Sequence, residues 1–267
     1  MATYGLSWNQ FKFEDAYKLD ATHVGVGKVA STESPSGKEE AMIAFGGTFS
    51  ATEPFNQLEQ VLTDVDVGES ELKWDGKNLG TVHNGFYSAV YPFITPLIDL
   101  VKYTMPELKT VTITGHSLGA AEALVFGAML ATDQPDLDVY IYTYGTPRVG
   151  GPNFVKALND SGAEVIRFVN EIDLVTMVPT SVGLGDSVLH AGRQVTFNTT
   201  GVSEDCKDYF VGNQYASVLS SPLAALSGCP QEAAGDHTSY KDNIGRWLID
   251  HGWTGNDVSP SCPDGTF

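Results

Sequence analysis

The chain has 267 residues, 42% of them hydrophobic, which is enough to bury the core of one large α/β domain. Its 33 acidic and 15 basic residues give a formal net charge of -18, and this field repels nucleic acid and anionic membrane surfaces as main partners. No apolar run reaches the roughly 18 residues of a membrane span, because the longest, 120–131, is interrupted by Glu122.

The predicted secondary structure alternates between strands and helices. In chain order we predict strands at 21–30 and 40–45 around a turn-rich segment 31–38, a helical segment 83–105, a strand 110–114, a helix 120–131, a strand 138–144, a helix 152–159, strands 164–169 and 193–197, and a closing helix 239–250. Pro92 and Pro96 are expected to kink or interrupt the segment 83–105. With no repeat or linker, we expect one α/β domain over 1–267, with a mostly parallel central sheet flanked by helices and a site at the carboxyl ends of its strands.

The strongest motif is Gly-His-Ser-Leu-Gly at 115–119, which fits the pattern Gly-x-Ser-x-Gly. It lies between a predicted strand and a predicted helix, where the chain must turn so abruptly that the serine adopts strained dihedrals and only glycine fits nearby. Such a turn presents the Ser117 hydroxyl at a helix N-terminus, where the helix dipole favours a developing negative charge. A glycine-rich packing turn is the alternative interpretation, and the strand and helix around the motif favour a nucleophile.

A serine hydroxyl needs a base, and in this fold the acid and then the histidine follow the serine along the chain. His190, His237 and His251 come late enough. His237 lies in a loop just before a predicted helix and is favoured as the base. His251 ends that helix, and His190 is expected to make a structural hydrogen bond.

The acid that orients the base is expected just past a strand end. Asp173 follows the predicted strand 164–169 and precedes a Val-Pro break at 178–179. Glu171 is its nearest rival and Asp186 is a second one. Asp173 is therefore the favoured acid.

The tetrahedral intermediate of acyl transfer needs hydrogen-bond donors aimed at its oxygen. One is expected to be the backbone N–H of Leu118, the residue after the nucleophile. The other is expected in the loop Phe-Gly-Gly-Thr at 45–48, where Thr48 offers both its N–H and its hydroxyl. The alternative for this loop is an ordinary Gly-Gly turn.

Several stretches now match a known family. They are FGGT at 45–48, VHNGF at 82–86, TITGHSLGAA at 112–121, TYGTPRVG at 143–150, FVNEID at 168–173 and DH at 236–237. In this order, from about residue 22 to residue 250, the chain resembles the fungal class 3 lipases, which include filamentous-fungus triacylglycerol lipases and related feruloyl esterases.

The resemblance implies an α/β-hydrolase fold and ester hydrolysis through an acyl-enzyme intermediate. It implies Ser117 as nucleophile, Asp173 as acid and His237 as base, with Thr48 and Leu118 forming the oxyanion hole. It places His190, in the stretch LHAG at 189–192, outside the triad. Two features depart from the family. Gly46-Gly47 replaces a common Arg-Gly, so any role of that arginine is lost. Many members also begin with a longer N-terminal helical segment whose cysteine pairs near the C-terminus, whereas here that segment is short and has no cysteine, which would leave Cys262 unpaired.

In lipases of this family a lid follows the oxyanion strand, and the equivalent here is 49–67. Its apolar residues, Phe55, Leu58, Leu62 and Val65, fall on one helical face and suit an amphipathic cover. Seven acidic residues and one basic residue lie between Phe49 and Asp75, so such a lid should approach neutral glycerides better than anionic phospholipid. A surface helix that never moves is the alternative.

Cysteines and sequons suggest a compartment. One disulfide, Cys206 to Cys229, with Cys262 left over, is the simplest account of three cysteines. Asn159 and Asn198 begin glycosylation sequons. We therefore expect a secreted, extracellular glycoprotein, with Met1 starting a mature form made without its leader, since the first residues carry no apolar signal segment.

The leading hypothesis is thus a lipase that acts on lipid esters and contacts an oil–water interface transiently. An esterase for soluble or aromatic esters, such as feruloylated sugars, is the nearest alternative, and a catalytically silent binding protein on the same fold is the other. No metal or cofactor is expected, because the sequence has no paired histidines at ligand spacing and no glycine-rich phosphate loop.

Overall fold

The computed structural model describes residues 13–20, 24–29, 39–47, 68–170, 173–177, 188–198 and 201–208. The strands in these ranges are β1 (Phe13–Asp20), β2 (Val24–Val29), β3 (Glu40–Phe45), β4 (Glu69–Trp74), β5 (Lys77–His83), β6 (Thr110–His116), β7 (Asp138–Tyr144), β8 (Glu164–Asn170), β9 (Arg193–Asn198) and β10 (Gly201–Asp208). Eight of them form one sheet in the order β1-β2-β3-β6-β7-β8-β9-β10, and β4 and β5 pair with each other.

The centre of the large sheet is parallel. The neighbours β3, β6, β7, β8 and β9 run in the same direction, whereas β1, β2 and β10 extend the two edges in antiparallel pairing. The prediction of a mostly parallel sheet is therefore confirmed. Because parallel strands end together, the carboxyl ends of β3, β6, β7 and β8 share one edge of the sheet.

The helices lie in the connections between these parallel strands. They are α1 (Asn84–Asp99), which continues as a π-helical turn (Leu100–Thr104), α2 (Leu118–Asp133) and α3 (Pro152–Asp160). The connections from β3 to β6, from β6 to β7 and from β7 to β8 each step in the same direction across the sheet. Because such connections are right-handed, all three helices lie on the same face of the sheet. Central α2 is buried along Gly119–Ala131, and Gly127 lets it approach the sheet, because a Cβ there would lie 2.3 Å from Ile141 Cδ1.

The two prolines do not interrupt the helix that carries them, so the predicted interruption is wrong. α1 runs through both Pro92 and Pro96. Both rings are exposed, so the carbonyls that lose a partner on this side of the helix can be hydrated. The irregularity comes later, as the π-helical turn Leu100–Thr104.

The β4–β5 hairpin was not predicted, nor were β1 and β10. Its two-residue turn, Asp75 and Gly76, has φ angles of 47° and 73°, which is the geometry that an Asp-Gly pair favours in a hairpin. The hairpin ends at His83, which was assigned to the start of a helix. It also contains Glu69 and Glu71, so these carboxylates and Asp75 do not belong to the lid.

Several predictions fall outside the described residues. They are the turn 31–38, the lid 49–67 with Phe55, Leu58, Leu62 and Val65, and the closing helix 239–250. Cys206 lies in β10, whereas Cys229 and Cys262 lie outside, so the disulfide stays a prediction. Among the helices that are described, none is both long and apolar enough to cross a membrane.

Candidate active site

Ser117 occupies a strained turn between β6 and α2. Its φ and ψ are 59° and -122°, a conformation that costs a non-glycine residue on the order of 1–3 kcal/mol. Its backbone N–H donates to Tyr144 O at the end of β7 (3.0 Å), and its carbonyl accepts from Ala120 N at 3.0 Å. The side chain makes no capping hydrogen bond to α2, so the hydroxyl is not used to hold the helix end. This geometry is that of a nucleophile elbow.

The two glycines of the motif are required by close backbone contacts. A Cβ on Gly115 would lie 2.1 Å from Gly119 O, which closes the turn upon itself. A Cβ on Gly119 would lie 2.6 Å from Phe45 O, at the end of β3. The same spacing that predicts a nucleophile therefore also packs the elbow against β3.

The loop after β3 lies directly against the elbow. A Cβ on Gly47 would lie 2.9 Å from His116 O, the residue before the serine. Thr48, which would follow as the second oxyanion donor, lies outside the described residues. The Leu118 N–H is the first amide of α2, and such an amide has no acceptor within its own helix. The Leu118 N–H is therefore free of a partner within α2, and its role as an oxyanion donor stays a prediction.

Asp173 is fully buried, at 0% exposure, in a turn just after β8. Its carboxylate Oδ1 accepts from the backbone N–H of Val175 at 2.9 Å. Its own N–H donates to Asn170 O at 3.0 Å, and its carbonyl accepts the Thr176 hydroxyl at 2.7 Å. These contacts fix both the backbone and one oxygen of the carboxylate.

Ser117 and Asp173 share the carboxyl edge of the sheet. Ser117 follows β6 and Asp173 follows β8, and only β7 lies between these strands. Neighbouring strands lie about 4.8 Å apart, so the two turns are separated by about 10 Å, a gap that an imidazole could bridge. His237, the predicted base, lies outside the described residues, as do the rivals Glu171, Asp186 and His251.

His190 makes the structural hydrogen bond that was expected of it. Its Nε2 lies 2.7 Å from the carbonyl oxygen of Thr176, the third residue of the short 3₁₀ turn Leu174–Met177 that follows Asp173. Burial, with the charges of Arg167 and Arg148, holds the pKa of His190 well below 6.5. A neutral imidazole facing a carbonyl must carry its proton on Nε2, so His190 is the donor.

Glu122, which interrupts the apolar run 120–131, was not predicted to be buried. It lies in the second turn of α2 at 0% exposure, and neither carboxylate oxygen has a hydrogen-bond partner among the described residues. Burial raises its pKa to about 8. In the described part of the chain, no three His, Cys, Asp or Glu residues cluster closely enough to hold a metal ion.

A strained serine between a strand and a helix, at the carboxyl edge of a mostly parallel sheet, defines the α/β-hydrolase fold. The structure of lipase II from Rhizopus niveus agrees with this chain at a TM-score of 0.62 and 24% identity, over 88% of this chain and 81% of that one. Residues 42–183 match the family model for Lipase (class 3). Since this match covers more than half of the chain, the protein belongs to the class 3 lipase family, as the resemblance of its motifs predicted.

Two relatives show how far the similarity extends. Phospholipase A(1) DAD1, chloroplastic, from Arabidopsis thaliana is 34% identical over 153 residues, which cover 54% of this chain and 34% of that protein. A lipase from Rhizomucor miehei is 32% identical over 168 residues, which cover 60% and 42%. The chain thus spans well under two thirds of the length of these curated relatives.

Proposed function

We propose that this protein hydrolyses carboxylic esters of lipids with Ser117 as nucleophile, Asp173 as acid and His237 as base. The observation that carries the proposal is the elbow: Ser117 has a positive φ at the N-terminus of α2, in a chain of the class 3 lipase family. The strained backbone has no evident structural use, because the hydroxyl does not cap the helix. Strain stored at one polar residue is typical of catalytic sites.

The mechanism follows from the groups at the carboxyl edge. Ser117 Oγ attacks the ester carbonyl while His237 takes the serine proton, and Asp173 stabilises the imidazolium that results. The Leu118 N–H, with the N–H and hydroxyl of Thr48, binds the oxyanion. The histidine then returns the proton to the leaving alcohol, which gives the acyl-enzyme. A water molecule, deprotonated by His237, releases the fatty acid and restores Ser117.

A neutral lipid ester is the substrate class that the charge supports. The relatives named above are called a lipase and a phospholipase, so both glycerides and phospholipids come into question. The net charge of -18 disfavours approach to an anionic phospholipid surface. The segment 49–67 adds four acidic residues and no basic one. Triacylglycerol or a similar neutral ester at an oil–water interface is therefore the proposed substrate.

A cover over the site is part of the proposal. Ser117 is only 1% exposed, so an acyl chain cannot reach its hydroxyl without a movement of what surrounds it. The segment 49–67 follows the oxyanion loop in sequence and has an apolar helical face at Phe55, Leu58, Leu62 and Val65. This face can pack over the site in water and turn outward at a lipid surface.

The test compares wild-type protein with Ser117→Ala on four substrates: a short p-nitrophenyl ester, a triglyceride emulsion, anionic phospholipid vesicles and methyl ferulate. We expect wild-type activity to be highest on the emulsion, and Ser117→Ala to lose several orders of magnitude on every substrate. Retention of a tenth of the activity by Ser117→Ala would contradict the nucleophile. Preference for methyl ferulate would indicate a soluble-ester esterase, and failure of wild-type Ser117 to react with a fluorophosphonate would indicate a silent binding protein.

Secretion is proposed on separate grounds. Asn159, the first residue of a sequon, is exposed near the end of α3, where a glycan can be accommodated. The chloroplastic relative is the counterexample, so the compartment must be tested directly. Protein recovered from the medium of a eukaryotic host should lose mass on endoglycosidase treatment. Recovery only from inside the cells, with no change in mass, would contradict secretion.

A further inference from the structure

A chain of hydrogen bonds joins His190 to the proposed catalytic acid. His190 Nε2 donates to the carbonyl of Thr176 at 2.7 Å. The Thr176 hydroxyl in turn donates to the carbonyl of Asp173 at 2.7 Å, and its backbone N–H approaches the same oxygen at 3.3 Å. The His190 imidazole therefore holds Thr176, and Thr176 in turn is bonded to Asp173 at the start of the same turn.

The turn itself orients the carboxylate. The Val175 N–H that binds Asp173 Oδ1 belongs to the same short turn, between the acid and Thr176. A single 3₁₀ turn has few internal hydrogen bonds and needs support from outside. Any movement of Thr176 therefore moves the amide that fixes the Asp173 side chain.

Leu189, the residue before His190, is held through both its backbone N–H and its carbonyl. Leu189 N donates to Gly150 O at 2.8 Å, and Leu189 O accepts from Val149 N at 3.3 Å. Gly150 also bridges to Val82 in β5, and the His83 N–H donates to Val149 O at 2.9 Å. The stretches 82–86, 143–150 and 189–192, which carry no proposed catalytic group, thus meet beside the acid's turn.

The surroundings of His190 favour its neutral form. The charged groups that act on the imidazole are Arg167, on β8, and Arg148, in the loop after β7, and together with burial they hold its pKa well below 6.5. The neutral imidazole, with its proton on Nε2, is the form that donates to Thr176.

We infer that His190 is a positioning residue for the catalytic acid: through Thr176 it holds the turn after β8 and thereby fixes the orientation of the Asp173 carboxylate. This inference rests on the proposed function, because it assigns Asp173 as the acid of the triad. His190 touches neither substrate nor the reacting atoms. Its loss is expected to act on the rate of the chemical step, because a misplacement of about 1 Å in such a constellation costs up to about 10²-fold.

The decisive comparison is between His190→Leu and His190→Gln on a soluble p-nitrophenyl ester. Glutamine places an amide N–H close to the position of Nε2, whereas leucine fills similar space without a donor. We expect His190→Leu to lower kcat by on the order of 10- to 100-fold with little change in KM. His190→Gln should recover most of that loss. The acid limb of the pH profile of kcat/KM should move to lower pH in His190→Leu, because a displaced Asp173 stabilises the protonated base less.

Two results would overturn the inference. One is a His190→Leu protein that melts at lower temperature but keeps its kcat and acid limb, which would show a purely structural role. The other is an equal loss of rate in the leucine and glutamine variants. If His190→Leu does not fold, Thr176→Val takes its place, because it removes the hydroxyl that donates to Asp173 and preserves the shape of the side chain. An unchanged kcat and an unchanged acid limb in Thr176→Val would also overturn the inference.

The failure of this inference is distinguishable from the failure of the proposed function. Reaction of Ser117 with a fluorophosphonate in wild-type protein, and its absence in Ser117→Ala, test the nucleophile without involving His190. If wild type reacts and His190→Leu keeps its turnover, only the positioning role is lost. If wild type does not react, the proposed function fails first.

Discussion

Glu122 should make this protein lose stability as pH rises through the neutral range. Its carboxyl is fully buried in α2, without a described hydrogen-bond partner, and burial raises its pKa from 4.5 to about 8. Between these two values the folded protein holds a proton that the unfolded chain releases. The stabilising contribution is therefore complete below pH 4.5 and is lost progressively up to about pH 8.

The size of the effect follows from the two pKa values. In that interval the free energy of unfolding falls by about 1.4 kcal/mol per pH unit from this group alone. The total is on the order of 4 to 5 kcal/mol, of which about 3 kcal/mol is lost by pH 7. This is a large fraction of the 5–15 kcal/mol that is typical of a folded domain, so the effect should be measurable.

The assay is urea unfolding of wild type and Glu122→Gln at pH 5, 7 and 8.5. Glutamine has the shape of the protonated acid and no charge, so the two proteins should be within about 1 kcal/mol at pH 5, and the variant should be more stable by on the order of 4 kcal/mol at pH 8.5. Glu164→Gln, at an exposed position at the start of β8, is the matched control for the loss of one carboxylate. Parallel pH dependences of wild type and Glu122→Gln would refute the reasoning.

Two further predictions test the packing around the elbow. Gly119→Ala should destabilise the fold by about 1–3 kcal/mol and lower kcat at least about tenfold, because the new Cβ would lie 2.6 Å from Phe45 O and push the end of β3 away. The control is Gly25→Ala, whose Cβ would have no atom within 4 Å. Equal urea midpoints and equal rates for the two variants would contradict the prediction. Trp74→Phe should lower the free energy of unfolding in urea by about 1–2 kcal/mol, because it removes the hydrogen bond from Trp74 Nε1 to Asp133 Oδ1 at 3.0 Å. It should leave kcat unchanged, because Asp133 ends α2 about 24 Å from Ser117. A large loss of kcat would show that the hairpin reaches the site.

The strained turn at Ser117 and the position of Asp173 after a strand were predictable because local sequence determines them. The Gly-x-Ser-x-Gly pattern requires a strand before it and a helix after it, and β6 and α2 provide both around Ser117. Asp173 was predicted just past a strand, and β8 ends three residues before it. Buried parallel strands are read from continuous β-branched and aromatic runs, which is why β3 and β7 have their predicted bounds.

The secondary structure was predicted wrongly at the β4–β5 hairpin and at the two prolines of α1, and the burial of Glu122 was not predicted. Asp75-Gly76 is a strong hairpin signal, but the acidic residues around it were assigned to the lid region instead. Pro92 and Pro96 break a helix only where the freed carbonyls are buried, and sequence alone does not show that both rings face solvent. The burial of Glu122 depends on the tertiary packing around α2, which no local pattern of charge reveals.

The elbow is held by the burial of its helix rather than by hydrogen bonds of the serine side chain. The strain at Ser117 costs on the order of 1–3 kcal/mol, and the hydroxyl offers no compensating cap. Burial of Leu124, Phe126 and Leu130, each worth about 1.5–3 kcal/mol, exceeds that cost severalfold. Because α2 is buried on every side rather than along one stripe, it cannot rotate or slide to relieve the turn. Glu122 is the one charged residue within Gly119–Ala131, so its ionisation opposes the burial that holds α2 against the strained turn at Ser117.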